Sequence, residues 1–444
     1  MAHLNELDAL YAFLVAAAVT AALTPLTKRL ARAIGAIDEP RERGLSERRT
    51  PLLGGLAIFA GVLAAGLIWL PVAELWQGVL LGAGVITIVG ALDDRFDLPP
   101  AVKLLGQIVA AVIVVHFGVA VKVLTLPFVG QLHFPNVGAT NAGPILTVLG
   151  LVVMMNVVNF SDGVDGLAAG VCVIMAATMA IIAFDLGRPE PGVLAALTAG
   201  AALGFLFYNF PPASSFMGDA GANLLGLLMG VIAVEAAVKV AAVVSFVLPL
   251  ILLAVPFLDT TFVLLKRLKY RQPIYRPDAE HFHHRMARIG FSSRRTIAYL
   301  YAWTLMLAAL ALALRFVPYS DHKGRYDTGW TLVVIGLGLV VAAASVYLVY
   351  VLEILKFRRL DAVRIRLMHP EASPAEIDLD VAKDLETGEF QAVADAGNRK
   401  GEAVVDPVAG GAEQRVGQRE VDEHRVGTED ERGGAQAPIA ADRG

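Results

Sequence analysis

Apolar runs of span length alternate with short polar stretches along most of the chain. The pattern predicts about eleven helices, over roughly 9 to 27, 52 to 70, 77 to 92, 101 to 120, 143 to 159, 165 to 184, 192 to 208, 221 to 237, 241 to 265, 296 to 316 and 329 to 355. A helix rises about 1.5 Å per residue, so about 20 apolar residues cross a hydrocarbon core about 30 Å thick. In lipid every backbone N–H and C=O must be paired inside the protein, which selects helices. The expected fold is an all-α polytopic membrane bundle, with abundant glycine and alanine in the spans allowing close helix contact. Beyond about residue 360 no apolar run long enough to bury remains. The expected organisation is thus a membrane domain over 1–359 and a largely disordered cytoplasmic tail over 360–444.

Composition agrees with this pattern: of 444 residues 56% are hydrophobic and only 18% charged. The net charge of −4 is less informative than where the charges lie. Glu6 and Asp8 precede the first run, whereas Lys28, Arg29 and Arg32 follow it, so it reads as a retained span with its N-terminus outside. Alternating the spans from there puts the loop with Arg41, Arg43, Arg48 and Arg49 inside, together with the basic loop from Lys266 to Arg295 and the segment Lys356–Arg359. The loops left outside at 71–76, 121–142 and 185–191 carry at most one basic residue each. Cys172, the single cysteine, excludes an intrachain disulfide and a cysteine-rich metal site.

Four polar clusters then fall on the cytoplasmic side, each where an apolar run meets a loop. Asp93 and Asp94 close the third run, and Lys103 and Gln107, four residues apart, share one face at the start of the fourth. Paired carboxylates suit a hard divalent cation or a proton acceptor. Asn156, Asn159, Asp162 and Asp165 follow in NVVNFSDGVDGLAAG, where amides and carboxylates together suit a polar heterocycle or a sugar. Helix capping is the simpler use of Asp165. Phe216 and Asp219 in FMGDAG place an aromatic ring and a carboxylate at a helix start, where backbone donors also favour phosphate. His281, His283, His284 and Arg285 lie in the basic loop and suit a diphosphate better than zinc. Asp259, deeper in the ninth span, is expected to face the same cleft. Carboxylates for Mg²⁺, cations for phosphates, and amides with an aromatic for a nucleoside describe phosphoryl transfer at a membrane surface.

ALDDRFDL, NVVNFSDGVDGLAAG, FMGDAG and PDAEHFHHRM, in this order, resemble the motifs of the polyprenyl-phosphate N-acetylhexosamine-1-phosphate transferases of glycosyltransferase family 4. The WecA-like branch is nearest and MraY more distant, and the likeness runs from about Ile37 to Val351. The resemblance implies transfer of a sugar 1-phosphate, most simply GlcNAc 1-phosphate, from a UDP-N-acetylhexosamine to polyprenyl phosphate, with release of UMP. The resemblance implies the first step of a lipid-linked envelope glycan. It implies Mg²⁺, with Mn²⁺ as a substitute, a bacterial plasma-membrane location, a homodimer, and no nucleic acid as partner. Carried over by motif, Asp219 would ligate the metal with support from Asp94, and Asp93 would act as base or position the lipid phosphate. Asn156, Asn159, Asp162, Asp165 and Phe216 would frame the nucleotide. Lys103, His281, His283, His284 and Arg285 would hold phosphate or sugar.

Two departures accompany the likeness. The first inner loop reads RERGLSERRTPLLGG, with Gly44, Ser46 and Arg49 where the family carries Lys, His and Pro, and GDAGAN has Ala220 and Ala222 where hydroxyl residues are usual. Two alternatives stand beside this reading. One is a phospho-MurNAc-pentapeptide transferase, against which Arg285 argues. The other is a cation- or proton-coupled transporter, which usually binds at the bilayer midplane within repeats.

Overall fold

The computed structural model describes residues 4–38, 49–126, 130–133, 142–237, 292–319 and 327–351. It is helical, as expected of a polytopic membrane protein. The described helices are α1 (Glu6–Ile34), α2 (Gly54–Trp69), α3 (Glu74–Phe96), α4 (Pro100–His116), α5 (Ala142–Ser161), α6 (Leu167–Asp185), α7 (Pro189–Asn209), α8 (Gly218–Ala237), α9 (Ser293–Phe316) and α10 (Thr328–Val351). Each matches one expected run. The ninth run, 241 to 265, lies outside the described residues, as do Asp259, His281, His283, His284, Arg285 and the 360–444 tail.

Eight of these helices are long and apolar enough to cross a membrane, whereas α2 and α4 have 16 and 17 residues. Both are shorter than their apolar runs for local reasons. Leu53 takes a left-handed conformation before α2, and α4 starts at the Pro99–Pro100 pair and ends at Phe117, ahead of Gly118 at φ +115°. Two small hairpins were not expected. β1 (Ile37–Asp38) pairs antiparallel with β2 (Thr50–Pro51), and β3 (Val123–Leu126) with β4 (Gly130–His133) in the loop before α5.

α1 begins on a capping box: Asn5 Oδ1 accepts from the Leu7 and Asp8 amides at 2.9 and 3.1 Å, and Asp8 Oδ2 accepts from the Asn5 amide at 2.9 Å. Seven hydroxyls inside the spans pair within their own helix. Thr24, Thr87, Thr147, Ser161, Thr178, Thr198 and Thr304 each donate to the carbonyl four residues earlier, at 2.6–2.9 Å. That removes the cost of an unpaired polar group in lipid. α7 and α8 form the centre of the bundle, with Leu194, Leu197, Phe205, Leu224, Leu228 and Ile232 fully buried. α1 presses against the α7 backbone, where a side chain at Gly204 would come within 3.0 Å of the Ala17 carbonyl carbon. α10, by contrast, leaves Trp330, Leu332, Leu339 and Tyr347 exposed, as a lipid-facing helix does.

Candidate active site

The C-terminal end of α3, the start of α4, the turn after α5 and the start of α8 meet at one end of the bundle. Three of the four polar clusters are thereby brought together, and the fourth lies outside the described residues. α3 runs helically through Asp93 and Asp94 to Phe96, because Asp97 supplies the left-handed residue that stops it (φ +49°). Asp93 is buried rather than sitting at an open interface. Its Oδ1 accepts from the Leu98 amide at 2.8 Å and its Oδ2 lies 2.6 Å from Lys103 Nζ. The same ammonium reaches Asp219 Oδ2 at 3.4 Å and the exposed Asp97 at 3.9 Å. Lys103 therefore stands between the α3 and α8 carboxylates, its stem on the face that the sequence assigned to it.

Asp94 does something the sequence did not suggest. Its Oδ1 accepts from the Asp219 amide at 2.7 Å and its Oδ2 from the Ala220 amide at 3.3 Å, so it caps α8 from another helix. The first amides of a helix have no partner inside it and carry partial positive charge, which a carboxylate satisfies on both counts. Gly218 makes room for this: at φ +66° it leaves the helix entry open, and a side chain there would collide with the Asp94 carboxylate. Asp219 is thus not its own helix's cap, and its carboxylate is left to Lys103 and to the cleft. Ala220 and Ala222 are fully buried, so a hydroxyl lost at either position leaves no polar gap to fill.

Asp162 follows α5, and its amide donates to the Asn159 carbonyl at 3.1 Å. Loss of solvent, and then the charges of Asp219, Asp94 and Asp165, hold its carboxyl well above the usual carboxylate range. Asp165 is raised too, chiefly by burial, although its Oδ2 accepts from the Ala213 amide at 2.8 Å. That bond ties the turn after α5 to the 210–217 loop, so Asp165 braces the site rather than simply starting α6. Asn156 spends its amide protons on Gln107 Oε1 and the Val152 carbonyl, both at 2.8 Å, leaving its oxygen for other contacts. The Phe216 ring is half-buried and its backbone is clamped on both sides. The Phe216 amide donates to the Pro51 carbonyl at 2.9 Å, and the Phe216 carbonyl accepts from the Gly54 amide at 3.1 Å.

Other residues of the site had no role in the sequence reading. Asn209 Oδ1 accepts from the Gly166 amide at 2.9 Å while its Nδ2 donates to the Ser215 carbonyl at 3.0 Å. Tyr301 Oη donates to the Gly166 carbonyl at 2.5 Å, and Arg294 Nε to the Pro211 carbonyl at 3.2 Å, fastening α9 to the same loops. Asn223, four residues after Asp219, had one visible signal: it shares the Asp219 face of α8.

Among the described residues, no three of His, Cys, Asp and Glu already form a metal site. The donor set nevertheless suits Mg²⁺, which takes one or two carboxylates and completes its shell with phosphate oxygens and water. Asp219 and Asp162 fit that part: each is a hard oxygen donor close to other carboxylates, and the Asp162 carboxylate has no hydrogen-bond partner among the described residues. Asp94, with both oxygens on backbone amides, serves first to hold Asp219 in place.

Residues 76–237, which hold α3 to α8, match the family described as glycosyl transferase family 4. The chain is 36% identical over 314 residues to the "Probable undecaprenyl-phosphate N-acetylglucosaminyl 1-phosphate transferase" of Bacillus subtilis, covering 68% of this chain and 84% of that one. It is 34% identical over 359 residues to the "Decaprenyl-phosphate N-acetylglucosaminephosphotransferase" of Mycolicibacterium smegmatis, covering 74% and 85%. It is 30% identical over 311 residues to the "Undecaprenyl-phosphate alpha-N-acetylglucosaminyl 1-phosphate transferase" of Escherichia coli K12, covering 66% and 80%. The matched region is also the part of the chain that carries Asp93, Asp94, Lys103, Asp162 and Asp219, and with that agreement the chain belongs to glycosyl transferase family 4.

Proposed function

We propose that the protein transfers N-acetylglucosamine 1-phosphate from its UDP-sugar to polyprenyl phosphate. An oxygen of the lipid phosphate attacks the phosphorus that carries the sugar, the bond from that phosphorus to the UMP oxygen breaks, and UMP leaves with the bonding electron pair. The observation that carries this reading is the convergence of Asp93, Asp94, Asp162 and Asp219 near the N-terminus of α8, with the Lys103 ammonium between Asp93 and Asp219. With more carboxylates than cations among the described residues, such a cluster gains from a divalent metal ion, which in turn offers a seat to a diphosphate. The names of the relatives favour GlcNAc over MurNAc-pentapeptide, and a polar cluster at one end of the bundle, not at its middle, speaks against a transporter.

Mg²⁺, held by Asp219 with Asp162, would neutralise charge on the diphosphate as UMP leaves. Lys103 gives up its contact with Asp219 and takes a phosphate oxygen. Asp93, freed of part of its ion pair, orients or deprotonates the attacking lipid phosphate. Asn156, Asn159 and Phe216 receive the uridine, the half-buried ring offering a stacking face. His281, His283, His284 and Arg285 are assigned to the diphosphate and sugar on their motif alone. Positive charge in the loops after α1 and before α9 supports a cytoplasmic site with the N-terminus outside. A homodimer remains part of this reading.

The test is UMP release by purified protein given undecaprenyl phosphate, Mg²⁺ and either UDP-GlcNAc or UDP-MurNAc-pentapeptide. Release with UDP-GlcNAc alone is expected; release only with the pentapeptide substrate overturns the choice of sugar, and release with neither overturns the reaction.

A further inference from the structure

One turn deeper than the carboxylates, three side-chain amides join three helices. Asn156 Nδ2 of α5 donates to Gln107 Oε1 of α4 at 2.8 Å, Gln107 Nε2 donates to Asn223 Oδ1 of α8 at 2.7 Å, and Asn223 Nδ2 donates to the Asp219 carbonyl at 2.8 Å. Gln107 and Asn223 are 4% and 5% exposed, which rules out water as their main partner. Uncharged but polar, such side chains are costly in a bundle interior unless paired, and apolar residues of the same size would hold the helices together as firmly. What amides add is direction. Each has a donor end and an acceptor end, so the two bonds between helices fix the rotation and axial register of α4, α5 and α8 at once, while the third, within α8, holds the Asn223 amide in place.

The position of the brace gives that register a use. Gln107 lies one turn from Lys103 on α4, and Asn223 lies one turn from Asp219 on α8. The Lys103–Asp219 contact, 3.4 Å, therefore sits directly above the Gln107–Asn223 bond. Asn156 carries the same constraint into α5, whose end leads to Asp162.

We propose that Gln107 is a positioning residue for sugar-phosphate transfer, acting through Asn223 and Asn156 to hold Lys103 and Asp219 at the separation the reaction needs. The inference rests on the transferase reading above. Gln107 itself touches no substrate. A displacement of about 1 Å in a reacting group costs on the order of a hundredfold in rate, so a brace of this kind acts on kcat more than on KM.

Double-mutant cycles test it, read both as UMP release and as thermal unfolding in detergent. Gln107→Met keeps the volume and removes the amide; it should lower kcat at least about tenfold and change KM for the UDP-sugar less than about threefold. Asn223→Leu should do the same, and the two together no worse than either alone, because one break already opens the chain. In a Lys103→Met background, Gln107→Met should cost less than about threefold, since the contact it serves is gone. Pairing Gln107→Met with Glu235→Gln, at the far end of α8, should be additive. Equal losses for Gln107→Met with and without Lys103, or a change confined to folded yield, would overturn the positioning role and leave Gln107 as packing. Should Gln107→Met not fold, Asn223→Leu in the presence and absence of Lys103 decides the matter alone. A wild type silent on UMP release overturns the transferase reading and Gln107's part in it, while non-additive unfolding of Gln107→Met with Asn223→Leu still reports whether the brace exists.

Discussion

The two ends of α8 handle charge in opposite ways. At its C-terminal end Glu235 Oε2 lies 3.3 Å from Arg188 Nη2, both largely buried, with Lys122 and Glu190 acting on Glu235 in opposite directions, so acid and base are matched. At its N-terminal end Asp219 shares its surroundings with Asp93, Asp94 and Asp162, and among the described residues a single ammonium, that of Lys103, reaches Asp93 and Asp219. The two ends are about 24 Å apart at about 1.5 Å per residue, so neither feels the other strongly. A balanced pair can be explained by folding alone, because each charge has what it needs. An unbalanced cluster cannot, since every buried carboxylate beyond the first raises the cost of the next. The imbalance is what marks the N-terminal end as the working one.

Removing the carboxylate at that end should have the largest effect. Asp219→Asn is expected to lower UMP release at least a hundredfold, about the loss seen when one charge-stabilising group is taken from a preorganised site. It should still fold, since it relieves repulsion with Asp94 and Asp162. Activity near wild type would take Asp219 out of the reaction. Gly90→Ala comes next, because α3 and α8 touch backbone to backbone there: a methyl group would meet the Asp219 carbonyl carbon at 2.7 Å. It should push α8 away from Asp94, lowering turnover by about tenfold or more and stability by about 1–3 kcal/mol, read by UMP release and by thermal unfolding. Unchanged turnover would show that the Asp94 cap tolerates a shift of α8. Phe216→Ala should raise KM for the UDP-sugar about tenfold, as the loss of one base-stacking contact does, and leave KM for the lipid phosphate within about twofold. Equal increases in both would put the ring against the lipid instead.

Why the helices could be read from the chain and the bonds of the site could not has a physical reason. Hydropathy is a local property, so each described helix has its apolar run, and even the early end of α4 falls at a local signal, Gly118. The clustering of Asp93, Lys103, Asp162 and Asp219 was also within reach, because loop charge gives each cluster a side of the membrane. The partner of a given atom is a different matter. Asp94 caps a helix 125 residues later, and Tyr301 holds a carbonyl 135 residues earlier. Nothing in the sequence near either residue encodes that. Asp165 shows the limit most clearly: Asp at the start of a helix is an ordinary cap, yet its carboxylate accepts from Ala213, 48 residues away. The amides were hardest of all, since Gln107 and Asn223 look like polar residues at the edge of a span until their bond is seen.

The far end of α8 supplies the smallest expected effect and the sharpest control. Glu235→Gln keeps the side chain's length and one acceptor oxygen for Arg188 but removes the charge. The bond from a cationic donor to a neutral acceptor is weaker than an ion pair, and because the pair is mostly buried, salt screens it little. The substitution should therefore cost about 1 kcal/mol of stability, read as a lower unfolding temperature in detergent, with UMP release unchanged within about twofold. Arg188 keeps a partner, so the loss stays well below that of a truncation to Ala, which would strand the guanidinium. A tenfold fall in turnover at full folded yield would mean that charge at one end of α8 is felt at the other, and the separation into a holding end and a working end would fail.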